Sequence, residues 1–188
     1  MTAGLFLSLD GVAEAPDQWH FPYLNDEMAA VVQARMDDAD TMLLGRTTYE
    51  EFAAYWPDSD EDLTDRMNGA HKLVVSRTLT TADWHNTTLL GGAEPLAELA
   101  RLKQRPGRNI AAVGSIDLVR SLLAAGLLDE LQLLVHPVVV GGGKRLFPEG
   151  GRIPLRLAAS TTLRTGVLSL VYTPDDKPDR TPDDRPTG

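Results

Sequence analysis

Five turns in the sequence place small or charged residues directly after short apolar runs. They are Asp10-Gly11, Gly45-Arg46-Thr47-Thr48, Ser76-Arg77, Gly114-Ser115 and Gly141-Gly142-Gly143. The N–H groups and the dipole at a helix start attract phosphate, and so does an arginine guanidinium. Turns of this kind at one edge of a sheet could therefore bind a nucleotide. Taken singly, each could also be an ordinary connection between a strand and a helix, with solvated side chains.

The stretch 41–50 shows why a helix start is expected at one of these turns. Residues 42–44 are continuously apolar, which predicts a buried strand, and Gly45 permits a sharp turn because it has no Cβ. Two matches to the capping box, which marks a helix start, follow the glycine. They are Thr47 with Glu50 and Thr48 with Glu51. We therefore expect a strand that leads into a helix, with Arg46 at the junction.

Composition limits the partners and the location to consider. The 188 residues carry a net charge of −9, so the surface repels nucleic acid, whose phosphates need a basic partner. The sequence shows no signal peptide and no apolar run long enough to span a membrane. We therefore expect a soluble, cytoplasmic protein that binds neither nucleic acid nor a membrane.

Metal and thiol chemistry also find no support in the sequence. The chain has no cysteine, which excludes disulfides, thiolate nucleophiles and cysteine-based metal sites. Its four histidines are scattered without the spacing of a zinc pair, so no metal is expected. His136 lies in an apolar run and is interpreted as a sheet residue with satisfied hydrogen bonds, rather than as a ligand or a base.

Apolar runs and helical patterns alternate along most of the chain. This order predicts an α/β fold, with an open, mostly parallel sheet, helices on both faces and a C-terminal antiparallel pair. In such a sheet, ligands bind beyond the carboxyl ends of the strands, where the five turns would lie. Residues 1–173 are expected to form one domain, and the proline-rich, charged segment 174–188 a disordered tail.

More local expectations follow from the same patterns. The acidic segment 58–65 is expected to be helical. Residues 131–135 and 138–140 are expected to form one long strand, with a bulge at Pro137. A final antiparallel hairpin is expected over residues 155–172.

Aromatic residues cluster in the irregular segment 12–24, after the first strand. Trp19 and Phe21, together with the more distant Trp56, could form the apolar wall of a substrate pocket. The aromatic cluster could equally cover the core as a hydrophobic lid. At the end of the first strand, Asp10 could orient a substrate or relay a proton, or it could belong to a plain turn.

Three widespread catalytic and nucleotide-binding motifs are not matched. The Walker A motif fails because Gly143-Lys144 is followed by Arg145 instead of serine or threonine. The Rossmann fingerprint fails because Leu146 stands where its third glycine belongs. The Gly-x-Ser-x-Gly elbow of hydrolases does not occur.

Five longer segments, in this order, are specific to one family. They are Ser8-Leu9-Asp10-Gly11, Leu44-Gly45-Arg46-Thr47-Thr48-Tyr49, Val74-Val75-Ser76-Arg77, Gly126-Leu127-Leu128-Asp129-Glu130-Leu131 and the stretch from Pro137 to Phe147. Over about residues 1–173, the chain resembles the C-terminal reductase domain of the riboflavin-biosynthesis deaminase/reductase (RibD), which shares the dihydrofolate reductase fold. The resemblance implies an NADPH-dependent reductase that transfers a hydride to a C=N or C=O group of a small heterocyclic or sugar-derived substrate.

The resemblance also implies roles for the residues of the turns. The implied cofactor-binding residues are Gly45, Arg46, Thr47, Thr48, Ser76, Arg77, Gly114, Ser115, Ile116, Gly142 and Gly143. Residues 45–48 would grip phosphates at one helix start, and residues 114–116 would hold the pyrophosphate at another. Ser76 and Arg77 would contact the adenosine 2′-phosphate, where an arginine suits NADP rather than NAD.

Alternatives to this function remain open at the level of sequence. Dihydrofolate reductase has a carboxylate on its first helix where Ala29 stands here, which argues against dihydrofolate as the substrate. One alternative is the reduction of 5-amino-6-(5-phosphoribosylamino)uracil, with Lys144, Arg145 and Arg152 as candidates to bind its phosphate. The other is a nucleotide-binding protein without turnover. Long apolar strands near the C-terminus make a homodimer the expected assembly.

Overall fold

The alternating pattern folds into an α/β structure in a computed structural model, which describes residues 1–147 and 150–175. The strands are β1 (Thr2–Ser8), β2 (Ala39–Gly45), β3 (His71–Val75), β4 (Thr87–Leu90), β5 (Asn109–Val113), β6 (Glu130–His136), β7 (Leu155–Thr162) and β8 (Leu168–Pro174). The α-helices are α1 (Asp26–Asp38), α2 (Arg46–Tyr55), α3 (Thr64–Gly69), α4 (Pro95–Lys103) and α5 (Ile116–Ala124). Short 3₁₀ turns lie at Pro16–Gln18, Phe21–Tyr23 and Trp56–Asp58.

One sheet organises the structure, with its strands in the order β4-β3-β2-β5-β1-β6-β8-β7. Strands β1 to β6 pair in parallel, whereas β8 pairs antiparallel with β6, and β7 antiparallel with β8. The register places Ser8 beside His136 and Gly45 beside Val75, so the parallel strands end at a common edge. The predicted fold, a mostly parallel sheet with a C-terminal antiparallel pair, is confirmed.

Side chains alternate between the two faces of the sheet, and helices cover both faces, as predicted. On one face, Leu122 of α5 belongs to the same buried cluster as Leu43 of β2. On the other face, Met67 of α3 is buried with Met42, the neighbour of Leu43 in β2. Helix α1 buries Met28 over β6. The sheet is therefore buried between two layers of helices around β2, β5, β1 and β6.

The prediction of a helix over residues 58–65 is wrong. The chain makes a 3₁₀ turn at Trp56–Asp58, and α3 starts only at Thr64. Asp60, Glu61 and Asp62 are all exposed and offer no apolar side chain to bury. Because short helices depend on packing for their stability, the helix forms only where Met67 can enter the core.

The long strand expected to reach residue 140 is also wrong, because β6 ends at His136. Pro137 has no N–H group to donate to a ladder, so the sheet cannot continue through it. Residues 138–140 turn instead across the end of β1, where the Leu9 N–H donates to the Val138 carbonyl oxygen at 2.8 Å. This change of direction brings the glycine-rich segment next to Asp10.

The C-terminal hairpin is confirmed by the pairing of β7 with β8. Its turn contains Gly166 at a φ of +83°. The tail expected over 174–188 lies outside the described residues, apart from Pro174, which ends β8, and Asp175. No helix in the described part of the chain is long and apolar enough to cross a membrane.

Lys72 of β3 caps the C-terminal end of α3 from inside the core. The sequence did not suggest this role. The side chain is completely buried. Its ammonium group donates to three carbonyl oxygens, those of Met67 at 2.9 Å, Asn68 at 3.0 Å and Ala70 at 2.8 Å. It also lies 4.2 Å from the centre of the Trp84 ring, which adds a cation–π contact.

We expect Lys72→Met to destabilise the fold, because it leaves three carbonyl groups without their donor. The free energy of unfolding, measured by urea titration, should fall by about 2 kcal/mol or more. Lys103→Met is the matched control, because the Lys103 ammonium bonds to the Leu127 carbonyl and to exposed Asp129. An equal loss of unfolding free energy in both variants would show that the buried Lys72 cap stabilises the fold no more than an exposed lysine does.

Candidate functional site

The five turns singled out in the sequence follow strands of one parallel set, and all five reach its common carboxyl edge. Along the edge, the strand order places Ser76 after β3, Gly45 at the end of β2, Gly114 after β5 and Asp10 after β1. His136 ends β6 beside them. The glycine-rich segment 141–143 reaches the same edge through the turn at Pro137. The edge therefore gathers the residue types that a nucleotide site requires.

A network of hydrogen bonds joins the turn after β2 to the turn after β5. The Gly45 N–H donates to Ser115 Oγ at 2.8 Å, and Ser115 Oγ donates to Thr48 Oγ1 at 3.0 Å. The Ser115 N–H donates to the same Thr48 oxygen at 3.1 Å. Since β2 and β5 are neighbours, this network fixes the starts of α2 and α5 relative to each other.

The capping boxes expected at the start of α2 are wrong. The N-cap residue is Gly45, and no side chain caps this helix. The Thr48 hydroxyl bonds to Ser115, across the sheet edge, instead of to its own helix. Ser115 is the N-cap residue of α5, yet its hydroxyl does not cap that helix either. The first N–H groups of both helices are thus left without a side-chain cap, which suits anion binding.

Gly114 allows the two turns to approach this closely. Its φ is +67°, which side chains other than glycine rarely adopt. A Cβ on Gly114 would lie 3.1 Å from Thr48 Cγ2, closer than ordinary packing allows. The turn after β5 therefore requires glycine for its backbone conformation and for its contact with α2.

The two arginines of the edge differ in their present partners. Arg46 Nη1 lies 2.9 Å from Glu50 Oε2, in an ion pair along α2 whose side chains are both about half exposed. Arg77 is exposed and has no ion pair within residues 1–147 and 150–175. The Ser76 hydroxyl accepts the N–H groups of Thr78 and Leu79, at 3.1 and 2.9 Å, and so shapes the turn that presents Arg77. Arg77 is available to a phosphate, whereas Arg46 would first have to leave a weak surface pair.

The Asp10 carboxylate holds the glycine-rich segment against the end of β1. It accepts the Ser8 hydroxyl at 2.7 Å, the Val140 N–H at 3.1 Å and the Gly141 N–H at 3.0 Å. The hydrogen bond from Ser8, followed by that from Val140, lowers the pKa of Asp10 to about 2. At neutral pH this carboxylate carries no proton to donate. Its contacts fit a residue that positions the site.

The glycine-rich segment is also fixed on its other side. A Cβ on Gly143, whose φ is +112°, would lie 2.9 Å from Val12 Cγ1. The Lys144 N–H donates to Glu14 Oε2 at 2.8 Å, and its ammonium group pairs with Asp117 in the first turn of α5. Gly142 lies exposed between these anchors. The segment therefore links β1 to the start of α5.

Two of the three aromatic residues predicted to line a substrate pocket lie together. The Trp19 ring is 5.2 Å from the ring of His136, and the Phe21 ring is 4.3 Å from the ring of His20, between centroids. Trp56 packs instead against Phe52 and Tyr55. The structure shows no ring contact between Trp56 and Trp19 or Phe21 within the residues it describes.

The interpretation of His136 as a fully satisfied sheet residue is wrong in one respect. Its Nδ1 is 2.9 Å from the Leu134 carbonyl oxygen, but its buried Nε2 has no hydrogen-bond partner among the described residues. His20 Nδ1 is buried and unpaired in the same way. A histidine at the carboxyl end of an apolar strand, beside an aromatic loop, was the sequence signal for this pair.

Comparison with known proteins identifies the family of this chain. The sequence model of the RibD C-terminal domain family matches residues 1–169 of this chain. The chain belongs to the RibD C-terminal domain family. Membership of this family supports a reductase role. The uncharacterized protein YyaP of Bacillus subtilis (strain 168) is 33% identical over 143 residues, which cover 73% of this chain and 75% of YyaP.

Solved structures with lower identity show the same fold. A protein assigned to riboflavin biosynthesis in Shewanella sp. PV-4 is 20% identical, with a TM-score of 0.75 over 93% of this chain and 98% of that one. A pyrimidine reductase-like protein of Corynebacterium diphtheriae is 13% identical, with a TM-score of 0.66 over 93% and 91% of the two chains. At these identities the likeness concerns architecture alone.

The low pKa of Asp10 leads to a prediction about acid stability. A carboxyl group whose pKa is lowered in the folded state stabilises that state above its ordinary pKa, and this contribution is lost as the pH falls from about 4 to about 2. We therefore expect Asp10→Asn to be clearly less stable than the wild type at pH 5, and the difference to shrink at pH 3. Urea unfolding at the two pH values measures this.

Asp83→Asn is the control for this prediction, because Asp83 is exposed and makes no hydrogen bond within the described ranges. Its stability relative to the wild type should change little between the two pH values. A constant difference for Asp10→Asn would contradict the anchoring role.

Proposed function

We propose that this protein is an NADPH-dependent reductase that transfers a hydride to a C=N or C=O group of a small heterocyclic or sugar-derived substrate. The observation that carries the proposal is the hydrogen-bond network of Gly45, Thr48 and Ser115, which aligns two helix starts without side-chain caps. Family membership supports the reductase class. When bound, NADPH would supply the hydride.

The residues present fit such a cofactor. The close approach of Gly114 to Thr48, which a Cβ would prevent, brings the N–H groups of α2 and α5 to the same part of the edge. The N–H groups of residues 46–48 and of Ile116 would bind phosphate oxygens, because those of Gly45 and Ser115 already donate within the network. Arg77 would pair with the 2′-phosphate that distinguishes NADPH from NADH, and Ser76 shapes its turn.

On the substrate side, the aromatic rings and Asp10 have separate roles. Trp19 and Phe21 would contact the apolar surface of the substrate, and we retain Trp56 as a more distant wall residue. Asp10 would position the glycine-rich segment, with Gly142 and Gly143, beside the cofactor. This division assigns Asp10 to orientation, because an ionised carboxylate with three donors cannot supply a proton.

The present partners of the candidate phosphate-binding residues bear on whether the substrate carries a phosphate. Reduction of 5-amino-6-(5-phosphoribosylamino)uracil would need free cations to bind the substrate phosphate. Lys144 pairs with Asp117, and Arg145 Nε donates to the Asp10 carbonyl oxygen at 3.0 Å. Arg152, the third candidate, is exposed and has no ion pair within the described residues, so it alone would be free to bind the phosphate. A substrate without a phosphate therefore fits these contacts better.

The reductase proposal predicts a specific loss in Arg77→Ala. We expect the variant to bind NADPH about tenfold to a hundredfold more weakly, because it loses charge-assisted hydrogen bonds, and to bind NADH with little change. Fluorescence titration of each nucleotide measures this. Arg101→Ala is the control, because it removes an exposed arginine near the end of α4 and should leave both affinities unchanged. No binding of either nucleotide to the wild type would overturn the proposal.

We also infer a homodimer that covers the edge of the sheet. Strand β7 is the last strand in the sheet order, and residues 156–162 are exposed. Leu157 of β7 is 50% exposed, and Leu168 of the neighbouring strand β8 is 39% exposed. Proteins normally cover such an edge.

The mass measured by sedimentation equilibrium tests this assembly. The wild type should show the mass of a dimer, and Leu157→Lys should shift it towards the monomer, since a charge would be buried at the interface. Leu24→Lys changes an exposed leucine elsewhere and should leave the dimer intact. A monomeric wild type would disprove the assembly.

A further inference from the structure

Two buried histidines lie face to edge at the carboxyl end of β6, and the proposed hydride transfer does not yet use them. His136 is completely buried and His20 is 8% exposed. Their ring centroids are 6.1 Å apart, at an interplanar angle of 85°. His136 lies beside Ser8 in the sheet register, and Ser8 in turn bonds to Asp10. The pair is therefore adjacent to the positioning machinery of the site.

The protonation state of His136 follows from its contacts. Its Nδ1 is 2.9 Å from the Leu134 carbonyl oxygen, and because a carbonyl only accepts, Nδ1 must carry the hydrogen. Burial lowers the pKa of His136 and outweighs the backbone contacts with Leu134 and Leu7, which raise it, so the ring is neutral at pH 7. Nε2 then presents a lone pair inside the protein, and it finds no donor within the described residues.

An unpaired acceptor of this kind destabilises the protein that contains it. Buried polar groups are almost always hydrogen-bonded, and leaving one unpaired typically costs about 1–3 kcal/mol. A phenylalanine in the same place would avoid that cost, although it would lose the hydrogen bond to the Leu134 carbonyl oxygen. An unpaired imidazole nitrogen next to a candidate site points to a partner that arrives from outside the chain.

The surroundings of His136 indicate the shape of that partner. Trp19, Tyr23 and Phe6 place their rings edge-on to the imidazole, with centroids 5.2, 5.6 and 5.6 Å away. His20 itself stacks on Phe6 at 4.7 Å. Walls made of flat rings favour a flat, apolar occupant.

The aromatic segment over His136 is held in a way that would let a ligand enter beneath it. This segment is the strap of residues 16–23, whose backbone hydrogen bonds run to neighbours within residues 15–24. Two side-chain bonds fix it further, from Trp19 Nε1 to the Glu14 carbonyl at 3.1 Å and from the Tyr23 hydroxyl to the Pro137 carbonyl at 3.4 Å. The strap can therefore shift without breaking a strand pairing of the sheet.

We propose that His136 Nε2 accepts a hydrogen bond from an N–H or O–H group on a flat, uncharged ring of the substrate, which binds between the strap and strands β1 and β6. This inference rests on the proposed reductase function and narrows its substrate to a ring compound with a donor. His20 lines the same pocket and provides a second unpaired nitrogen, Nδ1, for a polar group of that ring.

Indole and benzofuran are matched probes for this pocket. They have nearly the same shape and no charge, but only indole has an N–H donor. Binding to the purified protein, measured by ligand-observed NMR titration at pH 7.5, should be about tenfold tighter for indole, since one hydrogen bond to a buried acceptor decides the difference. Equal affinities, or no binding of indole, would overturn the proposal.

Variants of His136 test whether Nε2 causes the difference in affinity between indole and benzofuran. His136→Phe keeps a ring but removes the acceptor, and it should bind the two probes equally. His136→Gln places an amide oxygen near the position of Nε2, and it should recover part of the preference for indole. A preference for indole that survives in His136→Phe would contradict the assignment.

Thermal unfolding separates a binding role from a structural one. His136→Phe removes the unpaired Nε2 but also the donor to the Leu134 carbonyl oxygen, so its unfolding temperature should stay close to that of the wild type. Lower unfolding temperatures in both His136→Phe and His136→Gln would make His136 a structural residue and would overturn the proposal.

NADPH titration of the same variants keeps this inference apart from the reductase proposal. Both variants should bind NADPH as the wild type does, since His136 lies outside the proposed phosphate contacts. Failure of the probes with intact NADPH binding would disprove the ring pocket alone. Failure of NADPH binding in the wild type would disprove the reductase proposal instead.

Discussion

The Ser115 hydroxyl is the point on which the candidate site depends, because it joins two helices that cover opposite faces of the sheet. It accepts from Gly45 and donates to Thr48, and so it uses both functions of a hydroxyl in one buried place. Each such bond contributes only about 1 kcal/mol. Their geometric effect is larger, since a shift of either helix start would break two of them together.

The same arrangement resolves an electrostatic difficulty. A chain with a net charge of −9 repels a dinucleotide phosphate at long range. Salt screens that repulsion beyond about 8–10 Å, so binding depends on donors that touch the ligand. The two uncapped helix starts and Arg77, which has no ion pair in the described part of the chain, offer such donors without making the whole surface basic. An acidic protein can therefore bind an anionic ligand at one edge.

The sequence was sufficient for the architecture and for the common edge at which the turns lie. Apolar runs that end in glycine or serine predicted parallel strands with their turns at one edge, because strand pairing depends mainly on local patterns of burial. The partners of individual side chains were not predictable. Thr48 matched a local capping rule, but its hydroxyl bonds to a residue 67 positions later. His136 was misjudged because the rings around it belong to Phe6, Trp19, His20 and Tyr23, far away in the chain. Lys72 was overlooked although its carbonyl partners lie only two to five residues away, because a strand lysine gives no sign in the sequence that its side chain turns into the core.

The contacts of the glycine-rich segment explain why it resembles a phosphate-binding loop without matching one. The N–H groups of Val140 and Gly141 point at the Asp10 carboxylate, and that of Lys144 points at Glu14. Each carboxylate takes the position that a phosphate oxygen would take in an anion-binding loop. The protein thus carries its own anion mimics, and the segment is already folded around them before any ligand arrives. Its backbone is preorganised, so ordering it adds no entropy cost to binding.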